Sequence, residues 1–301
     1  MEYKPSAKRK KALSISQIII AAIMIFVMFT IIVPLLNIVA RSFSDPELSQ
    51  TMTGLDIIPK GFSLVNYKII FSNPVIIPSI LTSIFITVVG TALNILLTIV
   101  AAYALTRPNL PGKSLIMGFL IIMMLFDPGL VPEYLVVKEL GLLGSKWSVI
   151  LSMAVNVYYL IIMMRYFEDV PTSLYEAATI DGAGHFRTLF SVAAPLCKPG
   201  IATLTMFYGV LRWNEYVRSG AYITTLKNSP LQVVLRKFLV EGDTTSLIGA
   251  QNLLNYSELA KIDYTALTYA TIVIAVTPIL ICYPFVLKFY TKGIMEGGVK
   301  E

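Results

Sequence analysis

The sequence predicts an all-α membrane protein with six transmembrane helices, and three observations carry that expectation. Hydrophobic residues make up 56% of the 301 residues and charged residues only 14%, with a mean hydropathy of +0.73. A soluble domain averages roughly a quarter charged. The apolar residues gather into six runs that match, singly or around a break, the roughly 20 residues needed to cross a bilayer. Between the runs lie polar segments marked by proline and glycine, so lipid serves as solvent for much of the surface.

The elements follow in order. Residues 1–16 are basic, with Lys4, Lys8, Arg9, Lys10 and Lys11. The apolar run 17–40 exceeds a signal-peptide core. It also lacks a small-x-small cleavage site where Asn37, Ile38, Val39 and Ala40 lead into Arg41, so it reads as a retained first span with its N-terminus in the cytoplasm. Residues 41–73 are polar and turn-rich and are expected outside the cell. The second span, 76–105, carries Thr82, Ser83, Thr87, Gly90, Thr91 and Asn94. Small and hydroxyl residues let helices approach closely, although hydroxyls bonded to their own backbone account for most of them individually. Arg107 to Lys113 is a tight cytoplasmic turn.

The third span starts at 114–126 and is broken by Asp127-Pro128-Gly129 and again by Pro132 and Glu133. Such residues are tolerated at membrane depth only where protein or water covers them. The fourth span is 148–166, the fifth 201–223, and the sixth 265–289 with Pro278 and Pro284. Residues 224–264 are expected outside, and 290–301 form a tail. This gives one six-span domain, 17–289, between a basic N-terminus and a C-terminal tail. Six spans put both ends on one side. The basic bias makes that side the cytoplasm, mainly through the N-terminal cluster, because the long segment before the sixth span also carries Lys227, Arg236, Lys237 and Lys261.

Several function classes are excluded or disfavoured. The net charge of +6 fits interfacial anchoring and cytoplasmic loops; no aromatic-interleaved basic groove points to nucleic acid. Cys197 and Cys282 are far apart, which argues against a disulfide framework. With one histidine, His185, no histidine-based metal site is expected. Gly112-Lys113-Ser114 is not a phosphate loop, since the motif's first glycine would fall at Arg107 and no strand leads in. Gly293 and Gly297 match a helix-dimerisation spacing but lie past the last span, and the sequon Asn255-Tyr256-Ser257 is read as accidental. No metalloprotease, nucleophile-elbow or Cys-x-x-Cys pattern occurs, so no catalytic residue is assigned.

The most informative segment is 167–200. From Tyr175 it reads Glu176-Ala177-Ala178-Thr179-Ile180-Asp181-Gly182-Ala183-Gly184-His185-Phe186, and it continues through Arg187 and Phe190 to Pro195 and Pro199. Pro171 and Thr172 suit a helix start, and Leu174 to Ile180 makes a short amphipathic helix. Gly182 and Gly184 can supply left-handed or tight turn conformations. Phe186 to Ala193 can form a second helix stopped by Pro195. Spacing alone leaves two readings open: an ordinary amphipathic connection, or an element that inserts into a groove of a partner.

The residues Glu176-Ala177-Ala178, Asp181-Gly182-Ala183, Phe190, Pro195 and Pro199, placed between the fourth and fifth of six spans, resemble the EAA loop of ABC-importer permeases. The resemblance implies that this loop is the coupling helix, with Glu176, Ala177, Ala178, Asp181, Gly182, Ala183, Phe186 and Phe190 meeting the cleft of a nucleotide-binding subunit. It implies no cofactor on this chain, with ATP and magnesium on the partner ATPase. It further implies a second permease subunit in a heterodimer, two ATPase subunits and an extracellular solute-binding protein, in the plasma membrane of a bacterium. Ala193-Ala194-Pro195 departs mildly from the pattern, where many relatives have an apolar residue followed by Leu-Pro.

Other segments resemble carbohydrate permeases of the maltose-transporter type: Pro59-Lys60-Gly61-Phe62-Ser63-Leu64-Val65-Asn66-Tyr67, the group Trp213-Asn214-Glu215-Tyr216, and the ending Tyr290 to Glu301. The resemblance implies a carbohydrate cargo, an oligosaccharide, and a tail that reaches the ATPase interface. The residues themselves bear on cargo in the cluster Arg212-Trp213-Asn214-Glu215-Tyr216. Charges within a span face a cavity or a partner. Arg212 and Glu215 are spaced to pair on one helix face, and so are Trp213 and Tyr216. Aromatic faces beside amide and carboxylate groups suit sugar rings, so Trp213, Asn214, Glu215 and Tyr216 are candidate substrate-path residues. The competing reading is an interfacial aromatic belt with a structural ion pair. Two rival functions stand: an ABC permease for a non-sugar solute, and an ion-coupled carrier with Asp127 and Glu215 as its ion sites.

Overall fold

The computed structural model describes residues 15–108, 110–240 and 263–297, with side chains as far as Pro284. The basic cluster before Ile15, the sequon at 255–257, Lys261 and the last residues of the tail lie outside the described residues. Among the described residues the architecture is helical, with a single isolated bridge between Ser44 and Phe62. Contacts divide the chain into two units, Met1–Ile69 with Asn255–Val273, and Ile70–Leu254 with Ile274–Glu301.

The first unit opens with α1, Ile15–Ser42, whose apolar window is 0% buried. A helix that is apolar all round belongs in lipid. The polar residues of its C-terminal end hold the segment that follows. Asn37 Nδ2 donates to the carbonyls of Thr53 (2.8 Å) and Asp56 (2.7 Å). Arg41, in the last turn, meets Asp263 at 2.9 Å, where a cation also complements the helix dipole. Helix α2, Pro46–Ser49, starts on the cap Asp45, which accepts from Glu47 N at 2.9 Å. Ser49 Oγ donates to Asp263 at 2.7 Å. Helix α3, Val65–Ser72, carries Asn66, whose amide donates to the carbonyls of Ser42 and Ser44.

The second unit is built round α4, Ile76–Thr106. Helices α5, Lys113–Leu125, and α6, Leu130–Glu139, meet at 118°. At that break Asp127 Oδ1 accepts from Gly129 N (2.9 Å), and Gly129 has φ +80°. The break expected from Asp127-Pro128-Gly129 is therefore present. Helices α7, Lys146–Ser152, and α8, Val157–Glu168, are bent by 53°. These two helices make up the fourth span. It has neither proline nor glycine at the break; Asn156 ends the run by capping α8, its Oδ1 accepting from Tyr159 N at 3.1 Å.

Then come α9, Thr172–Ile180; α10, His185–Thr188, running through a π-helical turn at Leu189–Ala193 into α11, Ala194–Leu196; and α12, Lys198–Trp213, turned 87° from the preceding segment. Helix α13, Val217–Tyr222, and α14, Leu231–Leu239, follow. The last helix, α15, is Tyr264–Gly297. It contains Pro278 and Pro284, and the helix runs on beyond residue 289 to Gly297. Among the described residues three helices (α1, α4 and the Tyr264–Pro284 part of α15) are long and apolar enough to span, and counting each bent pair as one span gives six.

The core of the second unit packs Ile99, Ala102 and Tyr103 of α4 against Leu160, Met163 and Phe167 of α8, with Leu189, Ala193, Cys197 and Leu204. Close approach is set by small residues: a Cβ on Gly200, at the start of α12, would lie 2.6 Å from the Tyr166 ring. Within the apolar packing the Thr98 hydroxyl and Tyr208 OH share a hydrogen bond of 2.8 Å, and Tyr208 OH accepts from Asn156 N at 3.2 Å. This joins α4, α8 and α12 through satisfied polar groups.

Candidate functional site

Helix α9 ends in a Schellman turn. Ala183 N donates to Ala178 O (2.9 Å) and Gly182 N to Thr179 O (3.0 Å), with Gly182 at φ +74°. Only glycine adopts that conformation without strain. Of the predicted coupling residues, Glu176, Ala177, Asp181, Gly182, Phe186 and Phe190 are exposed, Ala183 is half-buried, and Ala178 is buried at 7%. The tip is apolar: Ile180 is 86% exposed and Phe186 72%. These two apolar side chains are exposed alongside the charged Glu176 and Asp181.

The mooring of this element was not foreseen from the sequence. Tyr175 OH donates to Phe167 O at the end of α8 (3.2 Å). The Arg107 guanidinium, at the end of α4, lies 4.3 Å from the Tyr103 ring centroid and 4.0 Å from that of Tyr175. Burial pushes the Tyr175 phenol above its usual range, and Arg107 partly offsets this. A groove of about 400 Å³ runs beside the moor, lined by Tyr103, Arg107, Leu110, His185, Phe186 and Leu189 among others. A legible signal existed in the Tyr103–Arg107 spacing of four at a helix end.

The second helix of the element corrects an expectation. Pro195 does not stop it; the helical path runs from His185 to Leu196. Proline has no N–H and crowds the carbonyl four residues back. The π turn at Leu189–Ala193 widens the path just before it, a device that absorbs such irregularities. The chain turns instead at Cys197, with Pro199 in the first turn of α12.

The 212–216 cluster also departs from expectation. Arg212 and Glu215 do not pair. Arg212, 2% exposed, turns inward: its guanidinium donates to Asn94 Oδ1 (2.6 and 3.2 Å) and to the carbonyls of Val149 (2.7 Å), Ile150 (2.9 Å) and Met153 (2.8 Å). It thereby caps the C-terminal end of α7, where a cation is favoured. Gly90 makes room, since a Cβ there would lie 2.9 Å from Arg212 Nε. Glu215 caps α13, accepting from the backbone of Arg218 (2.6 Å) and Ser219 (2.9 Å). The helix ends at Trp213, so Trp213 and Tyr216 do not share a face.

Trp213 is 6% exposed, donates Nε1 to Ala275 O (3.0 Å), and borders an apolar groove of about 460 Å³ together with Thr87, Thr91, Gly209 and Tyr283. Asn214 donates back to Val210 O (3.0 Å), and Tyr216 lies under Arg236. Glu133, in the broken third span, forms a bidentate pair with Arg218 (2.6 and 2.9 Å). Asp127 is engaged by Gly129 N.

No protein-family model matches the chain. The curated protein LplC of Bacillus subtilis (strain 168) is 42% identical over 272 residues, spanning 89% of this chain and 89% of that protein. The polygalacturonan/rhamnogalacturonan transport system permease protein YtcP of the same organism is 37% identical over 272 residues, covering 89% of this chain and 92% of YtcP. The crystal structure of a bacterial ABC transporter involved in the import of the acidic polysaccharide alginate contains a chain that superposes with a TM-score of 0.84 at 27% identity, covering 93% of this chain and 100% of that one. With a moored, glycine-turned element between its fourth and fifth spans, this chain belongs to the family of ABC-importer permeases, the multi-pass membrane subunits of such transporters.

Proposed function

We propose that this chain is one of two permease subunits of an ATP-driven importer that carries an oligosaccharide across a bacterial plasma membrane. An extracellular binding protein delivers the cargo, a second, similar permease completes a heterodimer, and two ATPase subunits hold the ATP and magnesium. The N- and C-termini face the cytoplasm, beside the ATPases.

The observation that carries the reading is the α9–α10 element. Its apolar tip at Ile180 and Phe186 is exposed, and its flank is fixed to the ends of α4 and α8 by Tyr175. A partner groove that closes on the tip would therefore move the spans. Glu176, Ala177, Ala178, Asp181, Gly182, Ala183 and Phe190 shape the surface that the groove receives. The cargo class is supported by likeness to a permease named for polygalacturonan and rhamnogalacturonan and to a transporter involved in the import of alginate. Trp213 supplies the aromatic face of the cargo path beside Thr87 and Thr91, as sugar C–H faces require.

Reconstitution in proteoliposomes tests this. Uptake of oligosaccharide is expected only with the ATPase subunits, ATP and the binding protein present. Uptake by this chain under a proton or sodium gradient alone supports an ion-coupled carrier instead. ATP-driven uptake of a phosphate, amino acid or polyamine in place of sugar supports a non-sugar ABC permease.

A further inference from the structure

The segment after α1 folds back along the helix it has just left. Asn37 stands about a turn and a half short of the helix end at Ser42, roughly 7 Å along the axis. Its amide nevertheless holds the carbonyls of both Thr53 and Asp56. The residues around Asp56 thus lie at the depth of the last turns of α1, not above them. The returning segment is fixed as well: Ser63 N donates to Phe43 O (2.8 Å), Ser44 bridges Phe62, and the Phe62 ring stacks on Phe43 at 5.8 Å.

The polar groups of this fold-back are turned to one another. Asp56 accepts from Thr53 N (2.6 Å) and pairs with Lys60 (3.3 Å), while Lys60 Nζ also donates to Thr51 O (3.1 Å). What points away is apolar: Leu55 is 78% exposed, Ile58 74% and Phe62 73%, with Ile57 at 47%. At the bilayer boundary a segment turns apolar side chains toward the acyl chains while its charged side chains pair or reach the headgroups, and the Asp56–Lys60 pair beside exposed Leu55, Ile57, Ile58 and Phe62 follows that pattern. The exposed apolar side chains of α1 run as far as Val39, past Asn37, which holds this segment.

We propose that residues 55–62 are a lipid-binding anchor. Leu55, Ile58 and Phe62 insert among acyl chains at the bilayer boundary where α1 ends, and Lys60 sits at headgroup level. The anchor fixes the depth of the first span without any protein partner.

The assembly isolated through a tag on this chain, in nanodiscs of phosphatidylcholine and phosphatidylglycerol, provides the test. Leu55→Cys and Ile58→Cys are spin-labelled in a Cys282→Ser background, Cys197 being buried. The expected result is a label more accessible to oxygen than to a water-soluble nickel chelate. A label open to the nickel chelate places the segment in water and overturns the proposal. A label closed to both places it against a protein subunit and overturns it equally. A second variant, Phe62→Trp in the otherwise native chain, is expected to add emission that lipids brominated near the headgroup quench more than lipids brominated at the chain ends. Added emission that neither lipid quenches contradicts the anchor.

Discussion

The Arg107 guanidinium lies 4.0 Å from the Tyr175 ring centroid, and that contact joins the end of the long helix α4 to the flank of α9. With Tyr103 on its other side at 4.3 Å, the cation is stacked twice. Such contacts are worth about 1 kcal/mol each when partly desolvated. Arg107→Met is expected to release α9 and lower sugar transported per ATP hydrolysed by about tenfold, a change of about 1.4 kcal/mol, while assembly is retained. Arg107→Lys keeps the cation and is expected to keep most of the coupling. Parallel uptake and phosphate-release assays check both.

Gly182 tests the turn itself. Its φ is +74°, yet a Cβ there would meet nothing within 4 Å. The expected cost of Gly182→Val is therefore all backbone strain, about 1–2 kcal/mol. Uptake should fall while ATP hydrolysis persists. Gly182→Asn, which tolerates the left-handed region better, should be milder. Equal uptake by the valine variant and the native chain contradicts a docking role for the turn.

Arg212 and Gly90 form a pair in which the small residue exists for the large one. Arg212→Met leaves Asn94 Oδ1 and the Ile150 carbonyl without their donor, while Val149 O keeps Ser152 Oγ (3.3 Å) and Met153 O keeps Asn94 Nδ2 (2.7 Å). Each buried group left unsatisfied costs about 1–3 kcal/mol, so the variant is expected to lose at least about 2 kcal/mol. Lysine offers a single ammonium in place of the planar fork and should not restore it. Gly90→Ala, with its Cβ 2.9 Å from Arg212 Nε, should destabilise the same node. Thermal melts in detergent report both.

The legible part of this protein is the part where sequence and backbone speak the same language. The Asp127-Pro128-Gly129 break and the Gly182 turn are local, since proline and glycine restrict or free the backbone wherever they stand. The expected Arg212–Glu215 pair failed because spacing on a helix assumes that the helix continues, and α12 ends at Trp213. The competing partners of Arg212, carbonyls of Val149, Ile150 and Met153, are distant in sequence and carry no side-chain signature. Pro195 misled for a related reason: a π turn, invisible in residue types, let the helix pass it. The mooring by Arg107 needed two elements some seventy positions apart to be placed together, which periodicity within one helix cannot do.

Asp263 gives a pH dependence to the first unit. Burial alone would raise its carboxyl, but hydrogen bonds from Ser49 and Arg41 outweigh burial and hold it below the usual 3.8. An acid held below its unfolded value contributes stability above that value and loses it as pH falls through the folded one. Melting temperature is thus expected to drop as pH falls below about 4. Asp263→Asn should melt lower than the native chain at neutral pH and show a smaller drop in that window. An unchanged acid limb in the variant contradicts a contribution from this contact.

The account rests on the α9–α10 tip being gripped by a separate ATP-hydrolysing subunit, and cross-linking from Ile180, 86% exposed here, tests that most directly. Ile180→Cys carrying a short photoactivatable cross-linker in the isolated assembly is predicted to join this chain to a nucleotide-binding subunit, with a yield that changes when ATP is added. A tip that labels freely with a water-soluble maleimide and joins no such subunit, with or without nucleotide, would contradict it.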